Sequence, residues 1–184
     1  YSIESSTTMS GAVDGLLFYS NGGPLQTTAG KVWNRNHDVM PNGDMAFAGG
    51  CMSSNQGTIA VQRPGHPAQY YLFTTDCAEH FYAGGLRYSI VDMMLDGGLG
   101  DVTAKGIPVH DDVSESIALV RHANGTDVWL IAQELSGADL MAFLVDADSI
   151  HAPVHSTVFP SPPFVGGTLS ANADGDRVCH ADHQ

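Results

Sequence analysis

"TIAVQRPGHPAQYYLFTTD" (Thr58–Asp76) is the stretch that decides the fold. A short run rich in β-branched residues meets "RPGHPAQ", whose prolines and glycine punctuate a turn. A longer aromatic and β-branched run follows, of the kind a pleated surface accepts. "IALVRHANGTDVWLIAQE" (Ile117–Glu134) repeats the device: strand, tight turn, strand. The second strand of the unit recurs along the chain in "GLLFYSNG", "QYYLFTTD", "DVWLIAQE" and "DRVCHAD". Their apolar runs begin at Leu16, Tyr70, Val128 and Arg177, about every 50 residues, close to the roughly 40–50 of a propeller blade. "LRYSIVDM" (86–93) and "LMAFLVDA" (140–147) supply a third strand after two of these, and a weaker fourth is expected.

No run of eleven or more residues carries helical apolar spacing. "GADLMAFLVDADSI" (137–150) comes closest. Its apolar residues Leu140, Ala142 and Leu144 alternate with Met141, Phe143 and Val145, which fills both faces of an extended strand. The expected architecture is all-β: propeller-type blades of four antiparallel strands, with units near 1–50, 51–110, 111–165 and an incomplete 166–184. A four-stranded sheet has two faces to bury and two edges to protect, and radial stacking does both. A β-sandwich would show turns as often but has no reason to repeat at this period.

Composition narrows function by exclusion. The 184 residues carry 20 acidic and 7 basic side chains, a net charge of −13, which repels nucleic-acid backbones and anionic lipid surfaces. No apolar run approaches the roughly 20 residues that span a bilayer, so neither nucleic acid nor membrane insertion is expected. The first residue is Tyr1, not Met, so a removed leader or a longer parent chain is expected. Cys51, Cys77 and Cys179 fit no zinc or redox spacing. Cys51 and Cys77 would pair if the chain is secreted; buried or half-buried thiols are the simpler expectation.

Several phrases are more specific than the pattern: "KVWNRNHDVMPNG" (31–43), "GLRYSIVDMMLDGGLGDVTAKGIPV" (85–109), and the two strand–turn–strand units above. In this order they resemble the N-terminal β-propeller-like region of large secreted Bacteroidetes surface proteins, which often end in a gliding-motility-associated or type IX secretion sorting domain. The resemblance covers about residues 14–180. The insert at 23–30 and the loop at 77–85 are longer than the family's usual connections. It implies an extracellular or cell-surface location and a propeller with more blades than this chain provides.

Local motifs give little chemistry. "LDGGLGD" (95–101) follows a strand as a phosphate loop would, but no helix and no GK[ST] come after it, so it reads as a turn. Asn172, Asp174 and Asp176 space like the start of a calcium loop without its closing Glu; an Asx-rich hairpin turn looks the same. His151 and His155, and His180 and His183, would chelate a metal on a helix, but in extended chain they read as exposed polar residues. His122 beside a turn reads as structural. Trp33, Tyr70, Tyr71, Tyr88 and Trp129 could stack on sugars, but sheet-on-sheet packing accounts for most of them. No residue is assigned to catalysis, to a cofactor or to a metal. The leading expectation is a non-catalytic module for adhesion, scaffolding or ligand binding, with a protein or polysaccharide partner, within a longer chain or assembly. The alternatives are a propeller-scaffold enzyme acting on polysaccharide, marked by clustered carboxylates of raised pKa, and a calcium-stabilised structural subunit.

Overall fold

The computed structural model describes residues 3–13, 15–135, 138–158 and 167–181. It is all-β, and every paired strand is antiparallel. The first sheet holds β1 (Thr7–Gly11), β2 (Gly15–Ser20), β3 (Lys31–Asn34) and β4 (Val39–Asp44). The second holds β5 (Thr58–Gln62), β6 (Gln69–Thr75), β7 (Leu86–Asp92) and β8 (Asp101–His110). The third holds β9 (Val113–Arg121), β10 (Val128–Glu134), β11 (Asp139–Val145) and β12 (Val154–Thr157). β13 (Thr168–Ala171) and β14 (Val178–Ala181) pair as a fourth, two-stranded sheet. Each four-stranded sheet is a meander in chain order. The only helical turns among the described residues are two short 3-10 turns, Ala78–His80 and Asp96–Gly98.

The sheets stack face on face in chain order, and strand alternation shows how. On β6, Tyr70 and Leu72 join the apolar cluster shared with Phe18 and Val32 of the first sheet. Tyr71 and Phe73 point the other way, into a cluster with Leu130 and Phe143 of the third sheet. On β10, Leu130 and Ala132 face the second sheet, while Ile131 meets Leu169 of β13. A strand buried on both faces must be apolar on both, hence the unbroken runs "YYLF" and "VWLIA". Neighbouring first strands touch, β1 with β5, β5 with β9 and β9 with β13, while β4 lies along β8 at the outer edge. No apolar cluster joins the first sheet to the last among the described residues.

A polar seam ties the stack at one end, centred on the loop that links β4 to β5. Ser54 Oγ and Thr75 Oγ1 share a 2.8 Å hydrogen bond, and Thr75 Oγ1 donates to the Glu115 carbonyl at 2.9 Å. Asn55 Nδ2 donates to the Gly167 carbonyl at 2.8 Å, and Gln56 Oε1 accepts from Leu169 N at 3.0 Å. Ser5 Oγ donates to Thr58 Oγ1. One loop thus holds residues from all four sheets or their flanks.

Cys51 in this loop is joined to Cys77 by a disulfide, which corrects the expectation of two thiols. The loops after β4 and after β6 leave the stack at the same end, and that adjacency brings the two Cα atoms to 5.6 Å. Spacing in the chain carries no trace of it. Cys179 is free and exposed.

The glycine-rich stretch closes the β7–β8 hairpin, with Asp92 opposite Asp101. Gly97, Gly98 and Gly100 all have positive φ, which L side chains rarely adopt. At Gly100 an added Cβ would also lie 2.7 Å from Met40 Cε, so the turn is built against β4.

Candidate functional site

The end of the stack opposite the seam carries the β5–β6, β7–β8 and β9–β10 turns. Here a cleft of about 400 Å³ opens between the second and third sheets. Its position follows from local sequence. After β5 the chain reads "RPGHP", and Gly65 takes φ +72, as the third residue of a type II turn behind a proline requires. The His66 amide donates to the Arg63 carbonyl at 3.0 Å, closing the turn. The turn leaves Arg63 at the cleft. The guanidinium sits 5.6 Å over the Tyr71 ring, and its NH1 donates to Gln69 Oε1 at 2.9 Å. Its Nε–H is buried and has no hydrogen-bond partner among the described residues.

Aromatic and aliphatic side chains form the walls. Tyr71 meets Tyr88 edge-on, with centroids 5.2 Å apart and planes at 89°. Ile90, Ile107 and Val109 continue the wall from the second sheet, and Phe143 and Ile150 from the third. Burial pushes the Tyr71 phenol above its ordinary pKa; nearby Arg63 opposes the shift, and Tyr88 and Asp146 add to it. At the rim, His151 Nε2 and Asp146 Oδ2 are 2.6 Å apart. That hydrogen bond, helped by the Ser149 and Asp148 amides, lowers the Asp146 carboxyl to about 2.

The cleft brings together Tyr71, Tyr88 and His151 from among the residues singled out in the sequence. Tyr70 and Tyr71 are buried in the two apolar clusters, as sheet packing requires. Tyr88 is half-buried and lines the cleft. Trp33 is half-buried and stacks on Tyr19 at 5.2 Å, and Trp129 lies 5.6 Å from His122. His122 Nδ1 accepts from the Asn124 amide, a turn role. His155 sits on β12 with Nδ1 3.2 Å from Asp139 Oδ2, away from His151. His180 lies on β14, and its suggested mate His183 falls outside the described residues.

Asn172 spends its side chain inside the β13–β14 turn. It donates to Asp176 at 2.6 Å and accepts from the Arg177 amide at 3.0 Å. This is Asx-turn chemistry at the candidate calcium loop.

Other carboxylates serve structure at the seam. Glu115 is nearly buried and accepts from the Ala78 and Asn55 amides at 2.8 and 3.0 Å. Asp76 accepts from the Cys77 and Gly84 amides and meets His80 Nδ1 at 2.7 Å. The Ser53 hydroxyl, first among several causes, holds the Glu79 carboxyl below its ordinary range, and the Ala46 amide does the same for Asp44. A general acid for glycoside cleavage needs the opposite shift.

Sequence reading missed Arg63. The available signal was a cationic residue beside a Pro-Gly turn in a chain with only 7 lysines and arginines. Compared with protein families, with curated proteins and with solved structures, the chain matches none.

Proposed function

We propose that the chain is a ligand-binding module built from propeller-type blades, part of an extracellular or cell-surface protein of the kind its sequence resembles. Stacked four-stranded meanders with their first strands adjacent support the propeller reading. The Cys51–Cys77 disulfide supports an oxidising compartment, since disulfides persist mainly outside the cytosol.

One observation carries the binding reading: among the described residues, Arg63 is the only lysine or arginine lining the tyrosine-walled cleft. Its Nε–H is buried and its NH1 is bonded to Gln69, so a ligand meets the remaining face of the guanidinium. A carboxylate there gains a charge-assisted hydrogen bond. Tyrosine and aliphatic walls suit a compact ring or short chain behind that carboxylate. Acidic sugars combine both features, and the net charge of −13 disfavours a densely charged chain, so the ligand class is a mostly neutral polysaccharide carrying isolated uronate residues.

The test is calorimetry of the chain with uronate oligosaccharides and with neutral oligosaccharides of equal length. Binding should favour the uronates and weaken about ten-fold or more in Arg63→Gln, since a hydrogen bond to a charged group contributes about 1.5–3 kcal/mol. Equal binding of neutral and acidic sugars, or an indifferent Arg63→Gln, overturns the reading.

A further inference from the structure

A second cluster lies at the other end of the third sheet, around the His155–Asp139 contact and apart from the cleft. β10 and β11 pair as far as Gln133 opposite Leu140, which sets Glu134 and Asp139 facing each other one step further out. β11 and β12 pair Asp139 with Thr157 and Met141 with His155. Alternation then puts Glu134, Asp139 and His155 on one face, each from a different strand. One ligand atom from each lies within 4.8 Å of the others.

The cluster is electrostatically incomplete. Like charges directly opposite across a strand pair repel. His155 meets Asp139 at 3.2 Å, and the Thr157 hydroxyl donates to Asp139 Oδ1 at 2.6 Å. Glu134 has no hydrogen-bond or ion-pair partner, and neither carboxylate meets a lysine or arginine, among the described residues. One imidazole balances at most one of two carboxylates. A divalent cation balances both and uses all three side chains as ligands.

We propose that Glu134, Asp139 and His155 form a binding site for a zinc-class divalent cation. The imidazole decides the class, because calcium and magnesium take oxygen ligands while zinc and its neighbours accept nitrogen with carboxylate oxygen. Zinc bonds of about 2.0–2.2 Å put two ligand atoms at most about 4.4 Å apart. Small side-chain rotations at the strand ends supply that closure. Thr157 fixes the carboxylate that bridges the cluster, as outer hydrogen bonds do around metal ligands. Three protein ligands leave a fourth position facing solvent, because His155 is exposed.

The experiment titrates the chelator-treated chain with Zn²⁺, and separately with Ca²⁺, by calorimetry. Circular dichroism confirms that each variant is folded. One Zn²⁺ should bind, more tightly than Ca²⁺. His155→Ala and the double variant Glu134→Gln/Asp139→Asn should each weaken it by about ten-fold or more, and His151→Ala should leave it unchanged. No Zn²⁺ binding, Ca²⁺ preferred over Zn²⁺, or wild-type affinity in His155→Ala overturns the proposal. Arg63 plays no part in this site, so it stands or falls separately from the sugar-binding reading.

Discussion

The third sheet is flanked by two very different interfaces. Against the second sheet it meets four strands, and the cluster between them holds Tyr71, Phe73, Leu86, Leu130, Met141 and Phe143, all buried. Against the fourth sheet it meets two strands, and the buried members among the described residues are Ala118, Val120, Ile131 and Leu169. Leu140 and Trp129 on this side remain half-buried. One sheet therefore has a deep core on one face and a thin one on the other. Stability should be unevenly spread, with cooperative unfolding set by the second–third interface and the last hairpin opening on its own.

The contrast breaks most directly with paired truncations. Phe143→Ala removes a ring that is 1% exposed and should cost about 3–5 kcal/mol, the usual range for a buried aromatic. Urea unfolding should show the whole transition moving. Leu169→Ala removes a side chain that is fully buried but set among half-exposed neighbours able to relax. It should fall near the low end of the Leu→Ala range, about 2 kcal/mol. Amide exchange should quicken in β13 and β14 while the second and third sheets stay protected. If Leu169→Ala unfolds the whole chain, the two interfaces are one cooperative unit and the contrast is wrong.

The disulfide tests how the seam connects the two interfaces. Cys51→Ser/Cys77→Ser opens a link across 26 residues, which should cost about 3.5 kcal/mol by loop entropy. The same loop carries Asn55 and Gln56, which hold Gly167 and Leu169. Exchange should therefore rise more in β13 than in β10 or β11. Equal loss in all three strands would mean that the seam does not single out the last sheet.

How far the sequence could be read follows the same division between inside and edge. β5, β6, β7, β10 and β11 were legible because burial on one or both faces demands dense β-branched and aromatic residues. β4 and β8 were not, because they carry Pro41 and Gly43, or Gly106 and Pro108, which read as turns. Both lie at sheet edges, where a proline's missing donor costs nothing. β12 is exposed at all four positions and gives no apolar signal. The functional clusters were hidden for another reason. Arg63 becomes unusual only once the fold sets it in a cleft that holds no other lysine or arginine among the described residues, and Glu134 meets Asp139 only through hairpin register. Charges at strand ends look like ordinary solvated residues until pairing says which of them share a face.

The smallest expected effect concerns the rim of the deep interface. The Asp146 carboxyl, lowered to about 2 from an ordinary 3.8, is held there first by His151. A group whose folded pKa lies below its unfolded value adds stability that is complete above the unfolded pKa and disappears as pH falls through the folded one. The Asp146 contribution should thus be present above about pH 4 and gone near pH 2. Asp146→Asn keeps an oxygen for the Asp148 and Ser149 amides while removing the charge. The stability difference between wild type and Asp146→Asn, from urea unfolding between pH 5 and pH 2, should therefore shrink as the solution is acidified. It should be small, because the rim is open to solvent and screened. A difference that stays flat across this range would mean that the charge facing His151 does not help hold the cleft edge, and that the turn amides alone do.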